Sequence, residues 1–127
     1  MTIKSVKPFK AIVNLGLEYG YTQKKINKES VIEEISKYQN TLIEEEDIYL
    51  SCSIIESLIV LNNQKEKHLK LEFINYPKFQ LSNTILKECI ENLTIILMNK
   101  FSQNRVVIEY LDETKMIDKS SNTDSRI

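Results

Sequence analysis

Along this chain the spacing of apolar residues switches between a period of two and a period of about 3.6, and the order of the switches limits the fold more than any other feature. In residues 9–21, Ala11, Val13, Leu15, Leu17, Tyr19 and Tyr21 fall on one side, with Lys10, Asn14, Gly16, Glu18 and Gly20 on the other. Alternation over that length marks a half-buried strand. Ser30 and Glu33 then stand at capping-box spacing, and Val31, Ile35, Tyr38 and Leu42 draw one apolar stripe along a helix. Glu44, Glu45, Glu46 and Asp47 oppose the macrodipole at its carboxyl end, which predicts a stop near Ile43. Residues 48–61 are β-branched and apolar and residues 69–76 alternate again. The two read as an antiparallel hairpin joined by the polar hexapeptide 62–67 and ended by Pro77. Leu50, Cys52 and Ile54 face one way from the first arm, matched by Leu69, Leu71 and Phe73 from the second.

Ser82 or Asn83 caps a second helix, whose broad apolar face is Ile85, Leu86, Cys89, Ile90, Leu93, Ile96, Leu97 and Phe101. After a short break at residues 102–104, residues 105–111 read as a strand. An extension through Asp112, Glu113 and Thr114 would make a small hairpin ending at Ile117. Residues 118–127 are polar and aperiodic and read as a flexible tail, which leaves residues 1–117 as a single α+β domain. The order strand, helix, strand, strand, helix, strand, with one apolar stripe per helix, predicts a two-layer sandwich of ferredoxin-like type. Two helices would lie on one face of a four-stranded sheet.

The pieces LKLEFINY, NTILKECIENLTIILMNKF and NRVVIEYL, in residues 69–111, resemble the second half of a tautomerase-superfamily subunit. The resemblance implies a tautomerase-like variant of the same sandwich, assembled as trimers or hexamers with active sites between subunits. It also implies an amino-terminal proline as catalytic base. Residue 2 here is Thr and Pro8 is internal, so the architecture carries over and no catalytic residue does.

Charge and cysteine content narrow the function classes. Seventeen basic and eighteen acidic residues nearly cancel, which argues against a nucleic-acid partner. No apolar run reaches the length of a membrane span, and the first residues lack a secretory core, so the expectation is a cytoplasmic protein. Cys52 and Cys89 belong to no metal-binding cluster, and the expectation is two free thiols, no metal and no cofactor. Fifteen of the basic residues are Lys, and Ile and Asn abound, a composition of low-GC bacteria and their phages.

Candidate site residues are few. Gly16 and Gly20 are the only glycines and share one face of the first strand, where Gly marks a bulge or the close approach of a backbone or ligand. Tyr19, Tyr21, Lys24, Lys25 and Lys28 form the densest aromatic and basic group, suited to stacking a base and holding an anion, although no Gly-rich phosphate loop is present. Arg105, the only Arg before the tail, offers a bidentate fork for a carboxylate or phosphate, or for an interface Glu. The ligand-binding set is therefore Gly16, Tyr19, Tyr21, Lys24, Lys25 and Arg105, with no catalytic set. Ser51, Ser53 and Ser57 lack a nucleophile elbow, and His68 is the single histidine.

The second sheet face would carry Ile12, Asn14, Gly16, Glu18, Ser51, Ser53, Ile55, Ser57, Ile59, Lys70, Glu72, Ile74, Tyr76, Val107, Glu109 and Leu111, enough apolar surface to predict a homo-oligomer. Together these features read as a non-enzymatic oligomeric domain that binds a small anionic metabolite or nucleotide near a subunit interface. The alternatives are a protein-interaction or inhibitor module, regulatory or immunity-type, and a tautomerase-like enzyme.

Overall fold

The computed structural model describes residues 1–20, 22 and 24–119. Its elements are β1 (Lys10–Gly16), α1 (Lys28–Glu46), β2 (Ser53–Leu61), β3 (Gln64–Ile74), a 3-10 turn at Pro77–Phe79, α2 (Asn83–Lys100), β4 (Arg105–Tyr110) and β5 (Thr114–Asp118). The strands form one sheet in the order β2-β3-β1-β4-β5, antiparallel at every junction. This is a ferredoxin-like α+β sandwich with one strand more than the four expected. The added strand is the hairpin extension past Asp112, paired to β4 from Arg105↔Asp118 to Glu109↔Thr114.

Register decides what the helices cover. Leu15 pairs with Leu69, Val13 with Leu71 and Ala11 with Phe73, so the central strands turn one continuous apolar surface toward the helices. Val31, Ile35 and Leu42 of α1 and Leu86, Ile90, Leu93 and Leu97 of α2 close the core over it. Ile85 and Ile96, expected on the inner face of α2, are exposed, while Thr94 and Met98 are buried in their place. Thr94 satisfies its hydroxyl by donating to the Ile90 carbonyl at 2.8 Å. The open sheet face carries Ile12, Asn14 and Gly16 on β1 beside Lys70, Glu72 and His68 on β3, and Ile55, Ser57 and Ile59 on β2, as the alternation requires.

Three boundaries moved, each for a physical reason. Asn27, not Ser30, caps α1, its Oδ1 accepting from Glu29 N–H at 2.8 Å. The helix runs past Ile43 to Glu46 because Asp47 takes the left-handed conformation (φ 55°), and the N–H groups of Asp47 and Ile48 return to the Ile43 and Leu42 carbonyls. The turn of the β2–β3 hairpin is only Asn62-Asn63, both at positive φ, as a two-residue mirror-type turn demands. Gln64, Lys65, Glu66 and Lys67 therefore belong to β3. β1 pairs with β3 no further than Gly16↔His68, so the hairpin projects as an arm, with Leu58, Val60 and Leu61 exposed at 54%, 60% and 68%. No helix among the described residues is long and apolar enough to cross a membrane.

Candidate functional site

At the end of β1 the chain leaves the sheet in a narrow loop. Leu17 N–H donates to the Lys67 carbonyl at 3.0 Å, Ile26 N–H to the Leu17 carbonyl at 2.8 Å, and Tyr19 N–H to the Lys24 carbonyl at 2.8 Å. On the other side, α2 ends in a Schellman-type turn: Ser102 is left-handed (φ 52°) and Gln103 N–H returns to the Met98 carbonyl at 2.9 Å. That turn drives the Gln103 carboxamide inward. At 7% exposure it donates to the Glu18 carbonyl at 2.6 Å and to the Phe101 carbonyl at 3.1 Å, tying the α2–β4 turn to the β1 loop.

The two glycines make room for this tie. A Cβ on Gly16 would stand 2.9 Å from Gln103 Oε1 and 3.6 Å from His68 Nε2. Gly20 lies at φ +51°, and a Cβ there would stand 3.2 Å from the Ser102 carbonyl oxygen. The close approach that the glycines signal is thus made by the α2–β4 turn of the same chain.

Between the β1 loop, the start of β3 and this turn lies an open cleft of about 420 Å³. Its lining includes two acidic residues, Glu18 and Glu66, together with Lys67, His68 and Arg105. His68 Nδ1 lies 3.3 Å from the Glu66 carbonyl oxygen, a contact that suits the Nδ1–H tautomer. Ser57 stands opposite His68 on β2, its buried hydroxyl without a hydrogen-bond partner among the described residues. Arg105 Nε donates to Asp118 Oδ2 at 3.0 Å across the β4–β5 pair, so its fork is held within the chain. A cleft lined by both signs suits a ligand that carries both signs more than a simple anion.

Of the residues expected from the sequence, Gly16 and Arg105 line this cleft. Tyr19 is half-buried and packs on Phe101, centroids 6.0 Å apart, with Lys24 Nζ 5.8 Å from its ring. Lys24 and Lys25 are exposed on the loop beyond the cleft lining, and Tyr21 lies outside the described residues. Glu18, Glu66 and Gln103 were not singled out as ligand-binding. Glu66 was hidden in a segment that looked like a turn, and Gln103 in one that looked like a break. Burial pushes the Cys52 thiol up to about 12, which removes it as a thiolate nucleophile near neutral pH. Among the described residues no group of three or more His, Cys, Asp or Glu is placed to hold a metal ion.

The architecture places the chain among ferredoxin-like α+β proteins with an extended sheet. No protein-family model matches it, and no curated protein matches it. Solved structures do. A phage SAM lyase in complex with S-methyl-5'-thioadenosine aligns over 97% of this chain and 98% of its own, with a TM-score of 0.66 and 16% identity. A phage SAM lyase in its apo state aligns over 91% of this chain and 92% of its own, with a TM-score of 0.64 and 17% identity. The divalent ion tolerance protein CutA1 from Ehrlichia chaffeensis covers 98% of this chain and 90% of its own, but at a TM-score of 0.35 and 13% identity it bears no weight. None of the three is described as a tautomerase. The expectation of a non-enzymatic binding domain is corrected here: the fold that matches end to end is that of an enzyme, and neither the inhibitor-module nor the tautomerase alternative fits it better.

Proposed function

We propose that this chain is an enzyme that cleaves SAM (S-adenosylmethionine), with the cleft at the end of β1 contributing to its substrate site. The observation that carries the proposal is the near-complete alignment with a lyase holding S-methyl-5'-thioadenosine. The cleft chemistry supports it. SAM bears a sulfonium, an ammonium and a carboxylate, and the cleft offers Glu18 and Glu66 to the cationic groups and Lys67 to the anionic one.

S-methyl-5'-thioadenosine keeps both the methyl and the adenosyl group on sulfur. Its formation from SAM breaks the bond from sulfur to the amino-acid side chain: the substrate's own carboxylate oxygen attacks that side-chain carbon and closes a lactone, while the neutral thioether leaves with the bonding electron pair. Such a leaving group needs no proton, so the chain's task is to orient the sulfonium and the amino-acid carboxylate rather than to supply a general acid. No side chain of the cleft is then required to act as a nucleophile.

The open sheet face adds a second element to the proposal. Ile55, Ile59, Leu61, Ile74 and Met116 are exposed on it, which supports association of several copies through this face.

Incubation of the purified protein with SAM, followed by mass spectrometry, is expected to yield S-methyl-5'-thioadenosine. Glu18→Gln and Glu66→Gln are expected to lower the rate at least about tenfold, the loss typical of one charge-assisted contact. Lys24→Ala, outside the cleft, is expected to leave it unchanged. Failure of the wild-type protein to release the thioether in any oligomeric state would sink the proposal.

A further inference from the structure

A second cleft, of about 470 Å³, opens at the far end of β3, where the last turns of α1, the segment leading into β2 and the turn after β3 meet. Its chemistry differs from that of the first. Tyr49, Phe79 and Tyr76 form a ladder of rings: Tyr49 stacks on Phe79 with centroids 4.6 Å apart and planes at 23°, and Tyr76 lies 6.0 Å from Phe79 at 25°. All three are exposed large side chains. The remaining lining is Gln39, Asn40, Ile43, Leu50 and Ser51, without a charged side chain. Lys78, outside the lining, holds its Nζ 5.5 Å from the Phe79 ring.

The rings are held in place before any ligand arrives. Asn75 clasps Leu81 twice, Nδ2 donating to its carbonyl and Oδ1 accepting from its N–H, both at 3.0 Å, while Phe79 N–H returns to the Tyr76 carbonyl at 2.9 Å. Gln39 Nε2 donates to the Leu50 carbonyl at 2.9 Å and fixes the floor. Asn40 and Ser51 are exposed polar side chains at the edge of the cleft, available to pair with a ligand's polar rim. Exposed aromatic faces cost solvation unless something flat covers them, and preorganised rings lose little entropy in doing so.

We propose that this cleft is a second binding site, separate from the cleft at the end of β1, and that it takes the base of an uncharged nucleoside. A planar nitrogen heterocycle stacks on the terminal rings of the ladder, and its edge pairs with the neutral Asn40 and Ser51. The lining itself holds no charged side chain and Lys78 is drawn over the Phe79 ring, so the base is held by stacking and neutral hydrogen bonds rather than by charge. The proposal does not depend on SAM cleavage, since it rests only on the rings and amides at this end of β3.

Adenosine serves as the probe, by equilibrium dialysis and by chemical-shift changes of the tyrosine ring signals. The wild-type protein is expected to bind it, and Tyr76→Ala and Phe79→Ala to weaken binding roughly tenfold, the scale of one lost base–aromatic stack. Phe79→Tyr, which keeps the ladder, is expected to restore it. Glu18→Gln, in the other cleft, is expected to leave this affinity untouched. Three results would overturn the proposal: no adenosine binding at millimolar concentration, binding lost in Glu18→Gln but kept in the ring variants, or Tyr76→Ala abolishing self-association without changing adenosine affinity. The SAM turnover assay reads the first cleft separately, so either idea can fail alone.

Discussion

Near the Gln64 end of β3 a cleft is lined by two carboxylates, a histidine, a lysine and an arginine; past its Ile74 end, another is lined by three rings and neutral amides. Each is set by a carboxamide that clasps backbone. Gln103 reaches back 85 positions to the Glu18 carbonyl, whereas Asn75 reaches forward six to Leu81. The clasp of the charged cleft is therefore a long-range tie, whereas that of the aromatic cleft is local and holds only the Tyr76–Phe79 side of it, Tyr49 being brought in by tertiary packing. Damage to a long-range clasp disturbs two segments at once, and damage to a local clasp disturbs one.

That contrast can be broken most directly at Gln103. Gln103→Leu strips the amide from two carbonyls, and the cost of leaving buried acceptors unpaired is about 1–3 kcal/mol. A fall in Tm of roughly 4–12 °C is expected for a chain of this size, with the charged cleft disordered and adenosine affinity retained. An unchanged Tm would mean that the tie carries nothing. Asn75→Ala tests the other clasp and is expected to cost about 1 kcal/mol. It should loosen the ring ladder and weaken adenosine binding while SAM turnover persists. Equal loss of both functions would erase the distinction between the two ends.

The smallest effect is set by acid. Lys87 donates to Asp112 at 3.0 Å, and this bond holds the Asp112 carboxyl below its ordinary value. A carboxyl depressed in the folded state contributes stability above its ordinary pKa, and that stability is lost as pH falls through the folded value. Asp112 is exposed and the pair lines neither cleft, so a slight drop in Tm at acid pH, absent in Asp112→Asn, is expected with neither binding site affected. A large drop would place the acid-sensitive group elsewhere.

How far the sequence could be read follows the same division. Strand β1 and helix α2 were legible because Ala11, Val13 and Leu15, and Leu86, Leu93 and Leu97, repeat at the period of their own element. Pairing of alternating strands then fixed the open face, down to Asn14 and Lys70. Helix ends were less legible: Asn27 competes with Ser30 as a cap, and an acidic run was outweighed by a left-handed Asp47. The charged cleft was half legible. Gly16 announced a close approach but not its partner, because nothing near Gly16 in the chain names Gln103. Arg105 stood out by its rarity, yet its pairing with Asp118 depends on a fifth strand that the polar sequence around Asp112 left open. The expectation of a non-enzymatic domain came from missing motifs. A sulfonium leaving group needs neither a triad nor a metal, so an enzyme of the proposed kind would leave few motifs to find.

The tie between Gln103 and the β1 loop also sets when, during folding, the charged cleft can exist. Closing a contact across so long a stretch of chain has a large entropic cost that only the assembled β1–β3–β4 core repays. If the tie forms only on that assembled core, its weakening is expected to act on the escape from the native state rather than on the approach to it. In a chevron plot Gln103→Leu moves the unfolding arm and leaves the refolding arm in place; a shift of the refolding arm instead would put the tie in the folding nucleus.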